Sequence, residues 1–92
     1  MNQKNWEVYI IQSESGKLYT GITNDLNKRF KDHLETKKGA KFFRLSKPEK
    51  IVFRETYPNR SEAQKAEIKI KKMSRAQKLE LMSNHAHPPY IT

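Results

Sequence analysis

Two runs of strand-forming residues, Glu7 to Gln12 and Lys17 to Thr23, flank the short link Ser13-Glu14-Ser15-Gly16, and that link constrains the fold more than any other feature. Val8, Ile10 and Ile11 in the first run, and Leu18, Tyr19, Thr20, Ile22 and Thr23 in the second, suit a pleated surface. A brief polar connection ending in glycine between two such runs predicts an antiparallel hairpin. Tyr9 and Tyr19 both lie on it. Side chains alternate along a strand, so their even separation does not by itself put them on one face. Pairing across a short turn can nevertheless bring Tyr9 opposite Tyr19.

Downstream, Asn24 or Asp25 is placed to cap a helix running to about Thr36, with Leu26, Phe30 and Leu34 on its buried stripe. Arg29 and His33, at i and i+4, share one face of that helix. Lys37 to Glu49 reads as an irregular basic loop containing Gly39, and Lys50 to Tyr57 as a third strand stopped by Pro58-Asn59. Ser61-Glu62-Ala63-Gln64 has the form of a capping box opening a second helix, whose apolar positions are Ala63, Ala66, Ile70 and Met73. Ser74-Arg75-Ala76-Gln77 repeats the signal and opens a short third helix through Leu79, Leu81 and Met82. The order is ββαβαα, an α/β (α+β) sandwich in which short connections favour an antiparallel hairpin with the third strand beside it.

A chain of 92 residues buries only about 60–65% of its unfolded surface, enough for one core. The expected division is a single domain over residues 1–83 and a flexible tail over residues 84–92. In that tail His85 and His87 stand beside Pro88-Pro89 with no cysteine or nearby acid, and read as frayed chain rather than a metal site. The absence of cysteine excludes disulfides and thiolate metal sites and is compatible with a reducing cytoplasm, the expected location. No run approaches the roughly 18 apolar residues of a membrane span, so no membrane partner is expected.

The formal charge is +9, with a pI near 9.9, and it is unevenly spread. Residues 27–50 hold nine basic residues (Lys28, Arg29, Lys31, Lys37, Lys38, Lys41, Arg44, Lys47 and Lys50) against three acids. Clustered basic charge is the electrostatic footprint of a nucleic-acid binder; a solvated, solubilising surface is the alternative. Phe42 and Phe43 inside the cluster favour nucleic acid, since an aromatic ring among cations offers a stacking platform. On the second helix, Glu67 lies at the margin of the apolar stripe. There it is either an edge carboxylate pairing Lys71 at i+4 or a metal ligand.

Taken together, these residues resemble the GIY-YIG nuclease superfamily, in its small stand-alone bacterial branch. Glu7-Val8-Tyr9 stands where GIY would be and Tyr19-Thr20-Gly21 where YIG would be. Arg29 follows Gly21 by eight residues and His33 follows Arg29 by four. The run Ala63…Glu67…Ile70-Lys71 looks like the family helix bearing its metal-binding glutamate. The resemblance covers residues 6 to 82. Glu7 and Val8 replace the glycine and isoleucine of the first motif, leaving Tyr9 as its functional carry-over. Asn84 stands too far from Glu67 to take the place of the family's later asparagine.

The resemblance implies a three-stranded antiparallel sheet flanked by helices and a metal-dependent endonuclease acting on DNA, with structured or repair intermediates as substrates. The other reading is a non-catalytic nucleic-acid-binding module that keeps the basic face. The implied roles make Tyr9 a general base or positioning group and Arg29 the holder of the scissile phosphate. Tyr19 and His33 would assist, and Glu67 would hold one Mg²⁺ or Mn²⁺. Gly21, Lys28, Lys37, Lys38, Lys41, Phe43, Arg44 and Lys47 are the expected nucleic-acid contacts, DNA being favoured over RNA. With so little surface for reading sequence, targeting would fall to a protein partner or to substrate shape.

Overall fold

The computed structural model describes residues 5–35 and 39–84. Strands β1 (Trp6–Ser13) and β2 (Leu18–Thr23) form the hairpin, followed by helix α1 (Leu26–Leu34) and a single 3₁₀ turn over Lys41–Arg44. Strand β3 (Pro48–Tyr57) and helices α2 (Arg60–Lys71) and α3 (Arg75–Asn84) complete the ββαβαα order. The sheet is antiparallel with strand order β2-β1-β3, so β1 is central and β2 is an edge. Gly16 closes the hairpin with φ +88, in the left-handed region that a side chain at Cβ disfavours. No helix among the described residues is long and apolar enough to cross a membrane.

The alternation of β1 splits the interior into two cores. Val8 and Ile10 face one side with Phe53 and Ile70, where Ala66, Met73, Leu81 and Met82 pack against them. Tyr9 and Ile11 face the other side with Leu26 and Phe43, where Phe30, Phe42, Tyr19 and Ile51 join. Thus α2 and α3 cover one face of the sheet, and α1 with the 3₁₀ turn covers the other. A register shift between Ile10 and Ile11 leaves Val52 as an extra residue on β3, a bulge that lets Val52 and Phe53 both serve the first core.

Several details differ from the sequence reading. The register pairs Tyr9 with Gly21 and Ile11 with Tyr19, so the tyrosines are diagonal neighbours on one face rather than directly opposed. Leu34 is 46% exposed and His33 is fully buried in its place. At about 100° per residue, His33 lies some 20° from the Leu26 direction and Leu34 some 80°, so geometry favours the imidazole. The α2 cap is Asn59, whose side chain accepts from Glu62 N at 2.9 Å, not Ser61. The capping box at Ser74 and Gln77 forms in both directions, at 2.9 and 3.1 Å. β3 begins two residues before Lys50, at Pro48, and α3 includes Asn84. Thr36, Lys37, Lys38 and the histidine-containing tail lie outside the described residues.

Candidate active site

The Tyr9 ring lies over Gly21 on the neighbouring edge strand. A Cβ at Gly21 would stand 2.5 Å from Tyr9 Oη and 2.7 Å from Cζ, so only glycine leaves room for the phenol. Sequence reasoning gave Gly21 to the nucleic acid; the glycine is buried and its missing side chain serves Tyr9 instead. From α1, His33 reaches the same point: its Nε2 is 2.9 Å from Tyr9 Oη. The Tyr9, Tyr19 and His33 rings form a triangle with centroids 5.2–6.3 Å apart, closed from behind by Phe43.

The other imidazole nitrogen decides how that hydrogen bond runs. The Ala40 N–H donates to His33 Nδ1 at 3.2 Å, and an N–H can donate only to an unprotonated nitrogen. Neutral His33 therefore carries its proton on Nε2 and donates it to the Tyr9 oxygen. The chain following α1 is set for this contact: Gly39 N–H donates to Glu35 O, and a Cβ at Gly39 would stand 2.5 Å from His33 Cα. Burial, with the Arg29 charge beside it, pushes His33 down to about 4, while Asp32 opposes weakly. The imidazole is neutral at physiological pH.

Burial also raises Tyr9 above the ordinary phenol range, and the neighbouring Tyr19 adds to this. The charge of the Arg29 guanidinium opposes it, and the Glu67 carboxylate reinforces it. Four side chains from β2, α1 and α2 thus act on one oxygen carried by β1. Arg29 is about a third exposed and lies 3.8 Å from Asp32, which also pairs with Lys28 at 3.3 Å. Glu67 is half-buried and sits 3.2 Å from the exposed Lys71 ammonium. The i+4 pair foreseen from sequence forms, and the same carboxylate is felt at Tyr9.

No group of three or more His, Asp or Glu suited to a metal occurs among the described residues. Glu67 is the carboxylate whose charge reaches Tyr9, while Asp32 is held by Lys28 and Arg29. That donor set fits Mg²⁺ or Mn²⁺, which commonly take one or two protein carboxylates and complete the shell with water and substrate phosphate. The Lys71 partner is exposed, and releasing such a pair costs little, about 0–1 kcal/mol.

Of the expected nucleic-acid contacts, Lys28, Lys41, Arg44 and Lys47 are exposed. Phe43 is not available to a base. It is fully buried, 4.7 Å from the His33 ring, and belongs to the core; its neighbour Phe42 is the half-buried ring. Sequence reasoning missed Ala40, because a backbone donor has no side-chain signature, although Gly39 before it marks a close approach.

Comparison with known proteins places this geometry among relatives. The model of the GIY-YIG catalytic domain matches residues 5–80. A UPF0213 protein of Cupriavidus pinatubonensis is 38% identical over 86 residues, covering 94% of each chain. One from Clostridium perfringens is 47% identical over 77 residues, covering 84% of this chain and 82% of its own. The solution NMR structure of the UPF0213 protein from Bacillus halodurans superposes with a TM-score of 0.59 at 37% identity, covering 91% of this chain and 88% of that one. The names of these relatives state no activity.

Proposed function

The chain belongs to the GIY-YIG catalytic-domain family, and on that premise we propose that it is a metal-dependent endonuclease hydrolysing phosphodiester bonds in DNA, structured or repair intermediates being the favoured substrates. The observation that carries this reading is the convergence on Tyr9 Oη: a hydrogen bond donated by His33 Nε2, with the charges of Arg29 and Glu67 acting on the same oxygen.

Arg29 holds the scissile phosphate and stabilises the charge that grows on it in the transition state. In the free protein Tyr9 is a phenol, so its first role is to orient a water or a phosphate oxygen through its own O–H. It becomes a base only once that proton has been lost to solvent, and the His33 donor and the Arg29 charge lower the cost of the resulting phenolate. His33 itself takes no proton from Tyr9, since its Nε2 already carries one. Tyr19 lines the approach beside both rings. Glu67 would hold a single Mg²⁺ or Mn²⁺, which when bound supplies a Lewis acid for the leaving oxygen. Lys41, Arg44, Lys47 and Lys28 would contact the flanking backbone, and targeting would come from substrate shape or a protein partner.

A second reading, a nucleic-acid-binding module without turnover, is favoured by one contact: the Glu67–Lys71 ion pair is what an edge glutamate forms on any helix. The experiment is a cleavage assay on branched, flap, single-stranded and RNA substrates with Mg²⁺ and with Mn²⁺. Cleavage of at least one DNA substrate that stops with EDTA is expected. Tight binding with no cleavage of any substrate would replace the nuclease by the binding module.

A further inference from the structure

An open cleft of about 280 Å³ lies at the start of the edge strand β2, lined by Lys17, Leu18, Phe42, Arg75 and Lys78. Its walls come from three places: the hairpin, the 3₁₀ turn that covers one face of the sheet, and α3, which covers the other. Arg75 ties α3 to the hairpin by donating from Nη2 to Gly16 O at 3.1 Å. Among the described residues none of the three cations is paired with a carboxylate, whereas Lys28, Arg29, Arg54, Lys65 and Lys71 all are. Three uncompensated cations beside an aromatic ring and a leucine, with no acidic lining, form a receptor for an anion that carries a flat apolar body.

The position supplies the rest. Gly21, over which the Tyr9 phenol lies, is three residues along β2 from Leu18, about 10 Å in an antiparallel strand. That is about three stacked nucleotides at 3.4 Å each, and fewer in an extended strand. Phe42 links the two places, its ring 5.4 Å from that of Tyr19. We propose that this cleft is a nucleotide subsite, in which Lys17, Arg75 and Lys78 take a backbone phosphate flanking the scissile one and Phe42 with Leu18 supports its base. The three cations of the subsite lie outside the basic stretch of residues 27–50. It rests on the nuclease reading for the identity of its neighbour, but not for its own chemistry.

Metal-free binding of a fluorescent single-stranded oligonucleotide of about ten nucleotides tests it, with EDTA present so that cleavage plays no part. Lys17→Gln/Lys78→Gln should weaken binding about tenfold and lower the slope of log K against log salt by about 0.7, the neutralisation of one phosphate on a single strand. Lys69→Gln/Lys72→Gln removes the same charge from exposed residues that do not line the cleft, and should change affinity less than threefold. Phe42→Leu keeps apolar bulk and should weaken a base-bearing strand by at least fivefold more than a fully abasic one. Equal losses in the two double variants, no loss in either, or no binding by the unmodified protein would overturn the subsite. Failure of the nuclease reading appears elsewhere, as absent cleavage with this binding pattern intact.

Discussion

At the scale of single residues, the Tyr9 oxygen is governed by a backbone amide it never touches. Ala40 N–H fixes the His33 tautomer, and the tautomer makes His33 a donor to the phenol. The same arrangement ties stability to pH. Folded His33 titrates near 4 and unfolded histidine near 6.5, so between these values the unfolded chain binds more protons. The contribution is complete above about 6.5 and is lost as pH falls towards 4, amounting to roughly 3 kcal/mol. Denaturant unfolding of the wild type and of His33→Gln between pH 7.5 and 4 should show this as extra pH dependence in the wild type alone. Equal slopes would remove the buried neutral imidazole. Arg29 and His33 on one face, and Tyr9 on the hairpin, were legible from spacing alone. The direction of the hydrogen bond was not, because it depends on a main-chain donor seven residues away. Phe43 was misassigned for a related reason: two adjacent rings among cations do not reveal which turns inward.

Among the elements, the hairpin does most to position the site, because its register places Gly21 under Tyr9. Gly21→Ala would put a methyl group where the phenol oxygen lies, and that oxygen is held in place by His33. Overpacking of this kind costs about 1–3 kcal/mol, and a displacement near 1 Å lowers rates on the order of 10²-fold. The expected result is a folded variant with a slightly lower Tm and at least a 10²-fold loss of cleavage; wild-type rates would show that Tyr9 placement is not limiting. Strand and helix order could be read because turn residues and apolar periods agree along the chain. The cap of α2 could not, since Asn59 and Ser61 are both good capping residues and only the backbone at the end of β3 chooses between them. Leu34 gave way to His33 because helix phase, rather than polarity, sets which side chain faces the sheet.

For the whole molecule, the sheet brings two faces together at one edge: Arg29 approaches from the side covered by α1, and Glu67 from α2 on the other, and both act on Tyr9. The basic surface should make binding salt-dependent. Lys41→Ala/Arg44→Ala, both exposed on the 3₁₀ turn, should lower the slope of log K against log salt by about 1.4–1.8. An unchanged slope would leave those charges a solubilising role. The central claim is that one half-buried carboxylate separates catalysis from binding, and Glu67→Gln tests it most directly because it keeps shape and removes charge. Cleavage in Mg²⁺ and metal-free affinity should be measured on the same DNA. The expected result is loss of cleavage with affinity unchanged or slightly tighter, as a negative charge near phosphate is gone. Metal-dependent cleavage that survives in Glu67→Gln would contradict the assignment.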